Sequence, residues 1–307
     1  MPSPFEETIT DLASSDQPLP NSRLVNLSNL NSEEVKLFEQ AWDKVKPEVQ
    51  RKTVYQLAEL AEDNVTLNFD SIFRYCLGDT DAEVRNKAID GLWESEDASL
   101  INPLVELLEK DSSPEVQAAA ATALGRFALL AGSGKLRANY ISRVEQSLLA
   151  AIGVRTKSIE VRCRALEAAA PLGRPQVSQA IQKSYESGDS ELKISAVNAM
   201  GKNCNPSWLP ILFREITSPN AEMRYEAAEA CGELGEEEAI PCLIELVNDP
   251  DTGVALAAIQ ALGKIGGGEA KRYLEQCLDD PEDLVKQAAA QALNELEIKE
   301  DPFSFRA

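Results

Sequence analysis

Chemistry in this chain has to proceed without imidazole, because none of its 307 residues is histidine. That absence excludes histidine-based triads, His-ligated zinc or iron, and imidazole proton shuttles. The thiols are Cys76, Cys163, Cys204, Cys231, Cys242 and Cys277, at spacings that form no Cys-x-x-Cys pair, so neither a zinc site nor a dithiol redox motif is expected. Cys231 and Cys242 are near enough in sequence to meet across a helix hairpin, yet a small, reduced, buried side chain is the simpler reading of these cysteines. Adjacent carboxylates such as Asp279 and Asp280 fall in the Pro- and Asp-rich stretches typical of solvated turns. Gly132-Ser133-Gly134-Lys135 resembles a phosphate loop only superficially: the upstream glycine spacing is wrong, Leu136 stands where Ser or Thr is needed, and no strand precedes it. No catalytic residue, metal ligand or cofactor is expected.

Charge narrows the partners. With 30 Lys and Arg against 51 Asp and Glu, the net charge is -21, which disfavours both nucleic acid and anionic membranes as partners. A protein or peptide of basic character fits this surface; the same acidity also serves simply to keep the chain soluble. The distribution is uneven. Residues 117–202 hold 12 basic and 6 acidic side chains, between residues 1–116 with 10 and 24 and residues 219–301 with 6 and 20. The opening residues lack the basic and apolar regions of a secretory signal, and no apolar run approaches the ~18 residues of a membrane span, so a cytoplasmic protein is expected.

The elements that position these residues come from an internal repeat. An apolar anchor is followed at four, seven, eight and eleven places by small or apolar residues, which are helix-face spacings. The anchors are Val49, Val84, Val116, Val161, Leu192, Met223, Val254 and Val285, and from Val161 onward they are 31 residues apart. Three places before six successive anchors stand Asp81, Ser113, Ser158, Asp189, Asn220 and Asp251, all good helix N-caps. Glu83, Glu115, Glu160, Glu191 and Glu222, each directly before an anchor, lie near the positive end of the helix dipole. A second amphipathic stretch, such as Ile240–Val247, separates these helices, so each unit is a helix pair. The count is about sixteen helices and no strand, starting near Asn31, whose Glu34 completes a capping box. Such pairs cannot bury their apolar faces alone and must stack.

The units from Asp251 through Ala258, Ala261-Leu262-Gly263 and Gly266 resemble HEAT repeats, and the recurrent Asp, Val-Arg, Ala, Ala-Leu-Gly pattern is similar to the phycobilisome-lyase-like subclass. The resemblance covers residues 47–297. It implies an all-α fold, a right-handed α-solenoid of about eight antiparallel helix pairs. The expected organisation is a mobile N-terminal arm over residues 1–30, the solenoid over 31–298 and a C-terminal tail over 299–307. In the arm, Phe5, Ile9 and Leu12 suit one short helical face that docks on a partner or on the solenoid itself.

In such a solenoid, positions 2, 6 and 9 after each anchor point away from the core and line the concave groove. Position 2 offers Cys163, Ile194, Tyr225 and Leu256; position 6 offers Asn198, Glu229 and Gln260; position 9 in the second unit offers Trp93. This stripe suits a groove that binds a protein or peptide, and it equally suits packing between adjacent helices. Glycines at position 9, Gly125, Gly201, Gly232 and Gly263, suit close packing. The basic segment supplies a patch of Lys135, Arg137, Arg143, Arg155, Lys157 and Arg164 that suits an acidic segment or a phosphate. Arg85, Arg162, Lys193, Arg224 and Lys286, one place after their anchors, resemble the ladder that ties neighbouring HEAT units. Among HEAT relatives, a di-iron hydroxylase needs His-Glu pairs this chain lacks, and helical-repeat DNA glycosylases need a basic groove, whereas Asp90, Glu167 and Glu229 fall on the groove positions here. The resemblance leaves a non-catalytic interaction scaffold, with a bilin-lyase-like or chaperone-like subunit acting on a tetrapyrrole-bearing or other client as the alternative.

Overall fold

The computed structural model describes residues 2–300, and these hold eighteen α-helices, five short 3₁₀ turns and no strand. The chain divides at Arg164 and Ala165 into two compact units. The first unit begins with α1 (Pro4–Ser14) and α2 (Asn21–Leu24), continues with α3 (Ser32–Trp42), which packs on α1, and α4 (Pro47–Asp63), then pairs α5 (Asp70–Cys76) with α6 (Ala82–Gly91), and α7 (Ile101–Lys110) with α8 (Pro114–Gly132). It continues into α9 (Ala138–Gly153) and the start of α10 (Ile159–Ala169). The second unit pairs α11 (Pro175–Tyr185) with α12 (Ser190–Lys202), α13 (Leu209–Glu215) with α14 (Ala221–Leu234), α15 (Ile240–Leu246) with α16 (Thr252–Ile265), and α17 (Gly267–Cys277) with α18 (Asp283–Glu300). Each unit is a solenoid-type stack of helix pairs joined by short turns. No helix among the described residues is long and apolar enough to cross a membrane.

Every N-cap expected from the repeat is made. The side chains of Asp81, Ser113, Ser158, Asp189, Asn220 and Asp251 accept hydrogen bonds from the amides of Val84, Val116, Val161, Leu192, Met223 and Val254, at 3.0 to 3.3 Å. Each relieves one of the unpaired donors that open a helix, worth about 0.5–2 kcal/mol. The anchors themselves are buried, with exposures of 0 to 6%. Asn31 and Glu34 close the capping box of α3.

The N-terminal segment departs from the mobile arm expected over residues 1–30. Ser3 and Glu6 form a capping box, α1 packs on α3, and Phe5, Thr8 and Leu12 are buried. Apolar residues at a spacing of seven give one face, and the helix that carries it docks on the chain's own α3. The helix α18 continues through Glu300, and the remainder of the C-terminal tail expected over 299–307 lies outside the described residues.

In the second unit, the backbones of α12, α14, α16 and α18 lie against one another in series, whereas those of the first helices of these pairs stay farther apart. Glycine permits that closeness. A Cβ at Gly201 would sit 2.6 Å from the Ala230 Cα, one at Gly232 2.8 Å from the Ala261 Cα, and one at Gly263 2.8 Å from the Ala292 Cβ. Small residue thus meets small residue at each step, and the stack is tightest on the side of its second helices.

Ion pairs tie the edge of the stack. Arg85 grips Asp111 with two hydrogen bonds of 2.7 Å and donates to the carbonyls of Asp79 and Thr80; Arg224 grips Asp249 at 2.7 and 2.8 Å and donates to the Ser218 carbonyl. Both aspartates also accept from the N-cap amide two residues on, at 2.8 and 2.9 Å. Lys193 reaches Glu215 instead, and the Tyr185 hydroxyl donates to the same carboxylate.

Candidate functional site

The exposed face of the second helices forms a wall in each unit. In the second unit α12 contributes Ile194 and Asn198, α14 contributes Tyr225, Glu226, Glu229 and Glu233, and α16 contributes Leu256, Gln260 and Lys264. Asn198 Nδ2 donates to Glu226 Oε2 at 2.8 Å, and Lys264 Nζ donates to Glu229 Oε2 at 2.9 Å and to Glu233 Oε1 at 2.8 Å. These contacts link three successive helices. Tyr225 keeps 39% of its surface in solvent, Gln260 is exposed, and Ile194, Asn198, Glu229 and Leu256 are half-buried. Burial raises the carboxyl of Glu226 above its ordinary range, and the neighbouring Glu167 and Glu229 add to the effect. Burial likewise raises the Tyr225 phenol, followed by the charges of Glu229 and Glu226.

Cys163 is corrected: it is 8% exposed and forms no part of an open wall. The other small residue at the same register, Ala118, is 7% exposed. Position 2 is shaded by the neighbouring helix, so a side chain as long as tyrosine emerges there and a thiol does not. Among the cysteines, Cys204 departs from the buried-thiol expectation by being exposed, and Cys242 is half-buried.

In the first unit the wall presents Tyr55 from α4, 47% exposed, and Trp93 in the turn just beyond α6, 57% exposed. Trp93 is among the expected groove residues; Tyr55 is not, although it occupies position 6 after Val49 and the same register finds it. Lys87 of α6 lies over the Tyr55 ring, 5.1 Å from its centroid, so the pair forms a cation–π contact.

The basic patch is largely spoken for. Lys135 lies 3.8 Å from Glu96, Arg143 3.6 Å from Glu109 and Arg164 2.9 Å from Glu160. Lys157 is a strut: its Nζ donates at 2.8 Å to the Leu108 carbonyl near the end of α7 and at 2.8 Å to Gln117 Oε1 on α8. Gln117 holds the place taken by arginine in the neighbouring units, and Lys157 restores the missing rung. Burial lowers the Lys157 ammonium below its ordinary range. Arg137 and Arg155 are exposed. The patch expected as one basic surface is therefore threaded with carboxylates.

A cleft of about 1020 Å³ in the first unit is lined by Trp42, Tyr75, Asp79 and Arg85, among others. Its polar groups already serve one another: Trp42 Nε1 donates to Asp79 at 2.7 Å and the Tyr75 hydroxyl to Asp43 at 3.0 Å. Burial and then Asp43 push the Tyr75 phenol up to about 12. No group of three or more metal-ligating side chains occurs among the described residues.

Residues 70–138 and 209–294 match the HEAT repeats. A comparison with curated protein sequences finds no match. Among solved structures, the chain is similar to the complex of CpcE and CpcF of phycocyanin lyase from Nostoc sp. PCC7120, with 15% identity and a TM-score of 0.54 over 92% of this chain and 97% of that one. It is also similar to YibA of Escherichia coli, with 18% identity and a TM-score of 0.47 over 82% and 98% of the two chains. Human deoxyhypusine hydroxylase shares 20% identity at a TM-score of 0.32 over 95% and 96%. At 15% identity, what the phycocyanin lyase structure shares with this chain is fold.

Proposed function

Because the chain belongs to the HEAT-repeat proteins, we propose that it is a non-catalytic scaffold that binds a protein segment along the wall that the second helices form in each unit. The observation that carries this reading is the presence of large aromatic side chains in solvent on these walls: Tyr55 and Trp93 on that of the first unit and Tyr225 on that of the second. Each lies on or beside a second helix whose other large apolar residues are mostly packed inward. Such rings bury a large area while keeping a polar handle, the property that concentrates binding energy in a few anchors.

The 31-residue period supports a place in the phycobilisome-lyase-like subclass, and the Nostoc structure is a phycocyanin lyase. That likeness is the support for the alternative, a subunit assisting a tetrapyrrole-bearing client. Mixing the protein with a bilin is expected to leave the pigment's absorbance unchanged, and a shifted band would favour the alternative.

The scaffold reading is tested by affinity purification from the native cell, comparing the wild type with Trp93→Asp and Tyr225→Asp. Both substitutions are at exposed positions, so circular dichroism should be unaltered. A stoichiometric partner that falls about tenfold in either variant is the expected result. A partner retained by both would count against the wall.

A further inference from the structure

We propose that Arg126 of α8 is the seat for an acidic side chain, Asp or Glu, of a protein segment bound along the first unit's wall, beside Trp93. This rests on the protein-binding reading above and names the chemistry of one residue of what is bound.

Arg126 stands apart from the other arginines of its unit. Arg23, Arg51, Arg74, Arg85 and Arg162, all half-buried or buried, each donate to a carboxylate or a carbonyl. Arg126 is half-buried as well, yet among the described residues nothing accepts from it. Its Nε is closed to solvent, whereas the two terminal nitrogens, Nη1 and Nη2, reach the surface, so the forked end of the guanidinium is the part open to an incoming group. The Cζ lies over the fully buried Phe127 ring, 5.4 Å from its centroid, which gives the guanidinium a fixed surface beneath it. Burial lowers this cation below its ordinary range against the pull of Glu96 and Asp70, neither of which bonds to it. A partly desolvated guanidinium without an acceptor is costly, and a carboxylate, which takes two parallel N–H bonds from the fork, removes that cost.

The surroundings supply an apolar footing and select the charge. Lys135 lies 3.8 Å from Glu96, so the loop after α8 meets the turn after α6 there. That turn also carries Trp93, 57% exposed, and Leu129, one turn of α8 beyond Arg126, is 62% exposed. Leu129 lies thirteen places after Val116, on the face of α8 that carries positions 2, 6 and 9. Both elements that meet at Arg126 thus hold large apolar side chains in solvent, suited to the residues that flank the acid. Glu96 and Asp70 face the same guanidinium and repel a phosphoryl group, with about twice the charge of a carboxylate, more strongly than the carboxylate itself. Residues 117–202, with 12 basic and 6 acidic side chains, favour the approach of an acidic residue to this end of the wall.

The experiment is selection of short random peptides on the full chain, followed by titration of the selected peptides against variants. Enrichment of Asp or Glu at one position beside apolar residues is expected. Replacing that residue by its amide should weaken binding about tenfold on the wild type and less than about twofold on Arg126→Gln, because the two changes remove the same contact. Arg126 supports no hydrogen bond in the fold, so Arg126→Gln should melt with the wild type. Changing the exposed Arg137 and Arg155 together to Gln should alter binding less than about twofold. An amide peptide that binds the wild type as well as the acid does, or that loses as much on Arg126→Gln as on the wild type, would overturn the proposal. Weakening by the Arg137 and Arg155 changes equal to that of Arg126→Gln would show diffuse attraction and overturn it too. Selected peptides that lack an acidic residue yet lose binding in Trp93→Ala would overturn the carboxylate while leaving the wall. Peptides indifferent to Trp93→Ala, or no enrichment at all, would overturn both.

Discussion

Valine in place of Gly232 is expected to cost the second unit about 3 kcal/mol, enough to unfold it at temperatures where the wild-type protein is intact. Removing a glycine from a helix interior recovers up to about 1 kcal/mol of helix propensity, so the sign depends on what the new side chain meets. It meets backbone: a Cβ at Gly232 would lie 2.8 Å from the Ala261 Cα and 3.0 Å from its Cβ, and a backbone atom cannot rotate aside. The helices α14 and α16 must separate, and with them a run of closely packed small residues. Gly153 is the control. It ends α9 with nothing within 4 Å of its would-be Cβ, so Gly153→Ala is expected to be neutral or mildly stabilising. Urea or thermal melts of the two variants check the contrast, and a Gly232→Val protein as stable as the wild type would show that the close approach of α14 and α16 is not required.

The second large effect is electrostatic. Arg224→Met is expected to destabilise the protein by about 3–5 kcal/mol at neutral pH, because it strands a carboxylate rather than merely deleting a contact. Asp249 has a side chain 6% exposed, and Arg224, 14% exposed, holds it with two short hydrogen bonds. The arginine keeps the Asp249 carboxyl below its ordinary range, against the opposing effect of burial. A carboxyl whose folded value is depressed contributes stability that is present above its unfolded value of about 4 and is lost as pH falls through the lower folded value. The deficit of Arg224→Met should therefore shrink as the pH is taken from neutrality to below about 4, where Asp249 is neutral in the unfolded chain. Asp111 is placed alike in the first unit: burial raises it, but Arg85 and the Ser113 amide prevail and lower it. Denaturant midpoints at a series of pH values read this directly; a deficit independent of pH would remove the charge argument.

The fold was legible because its determinants are local. Caps at Asp81, Ser113, Ser158, Asp189, Asn220 and Asp251 and buried anchors at regular spacing specify helices and their inward faces without reference to distant residues. The site was only partly legible because exposure depends on how near the next helix comes. Position 2 reads the same for Cys163 and Tyr225, yet one is 8% and the other 39% exposed. The basic patch misled for a similar reason: Glu96 and Glu109, which meet Lys135 and Arg143, lie outside the basic segment and reach it through the packing of successive helices. Residues 1–30 suggested a mobile arm because Pro2, Pro4, Pro18 and Pro20 stand among Ser, Asn and Asp residues, while the apolar spacing of Phe5 and Leu12, which folds the segment down, occupies only two turns.

The central claim, that the second helices present the protein's binding wall, is tested most directly by placing a photo-activated cross-linking residue at single exposed positions and irradiating in the native cell. Adducts to a common protein from Tyr225 and Trp93, and none from Val65 or Leu278, which are exposed but off the wall, are the predicted result. Adducts from Val65 and Leu278 with none from Tyr225 and Trp93 would contradict it.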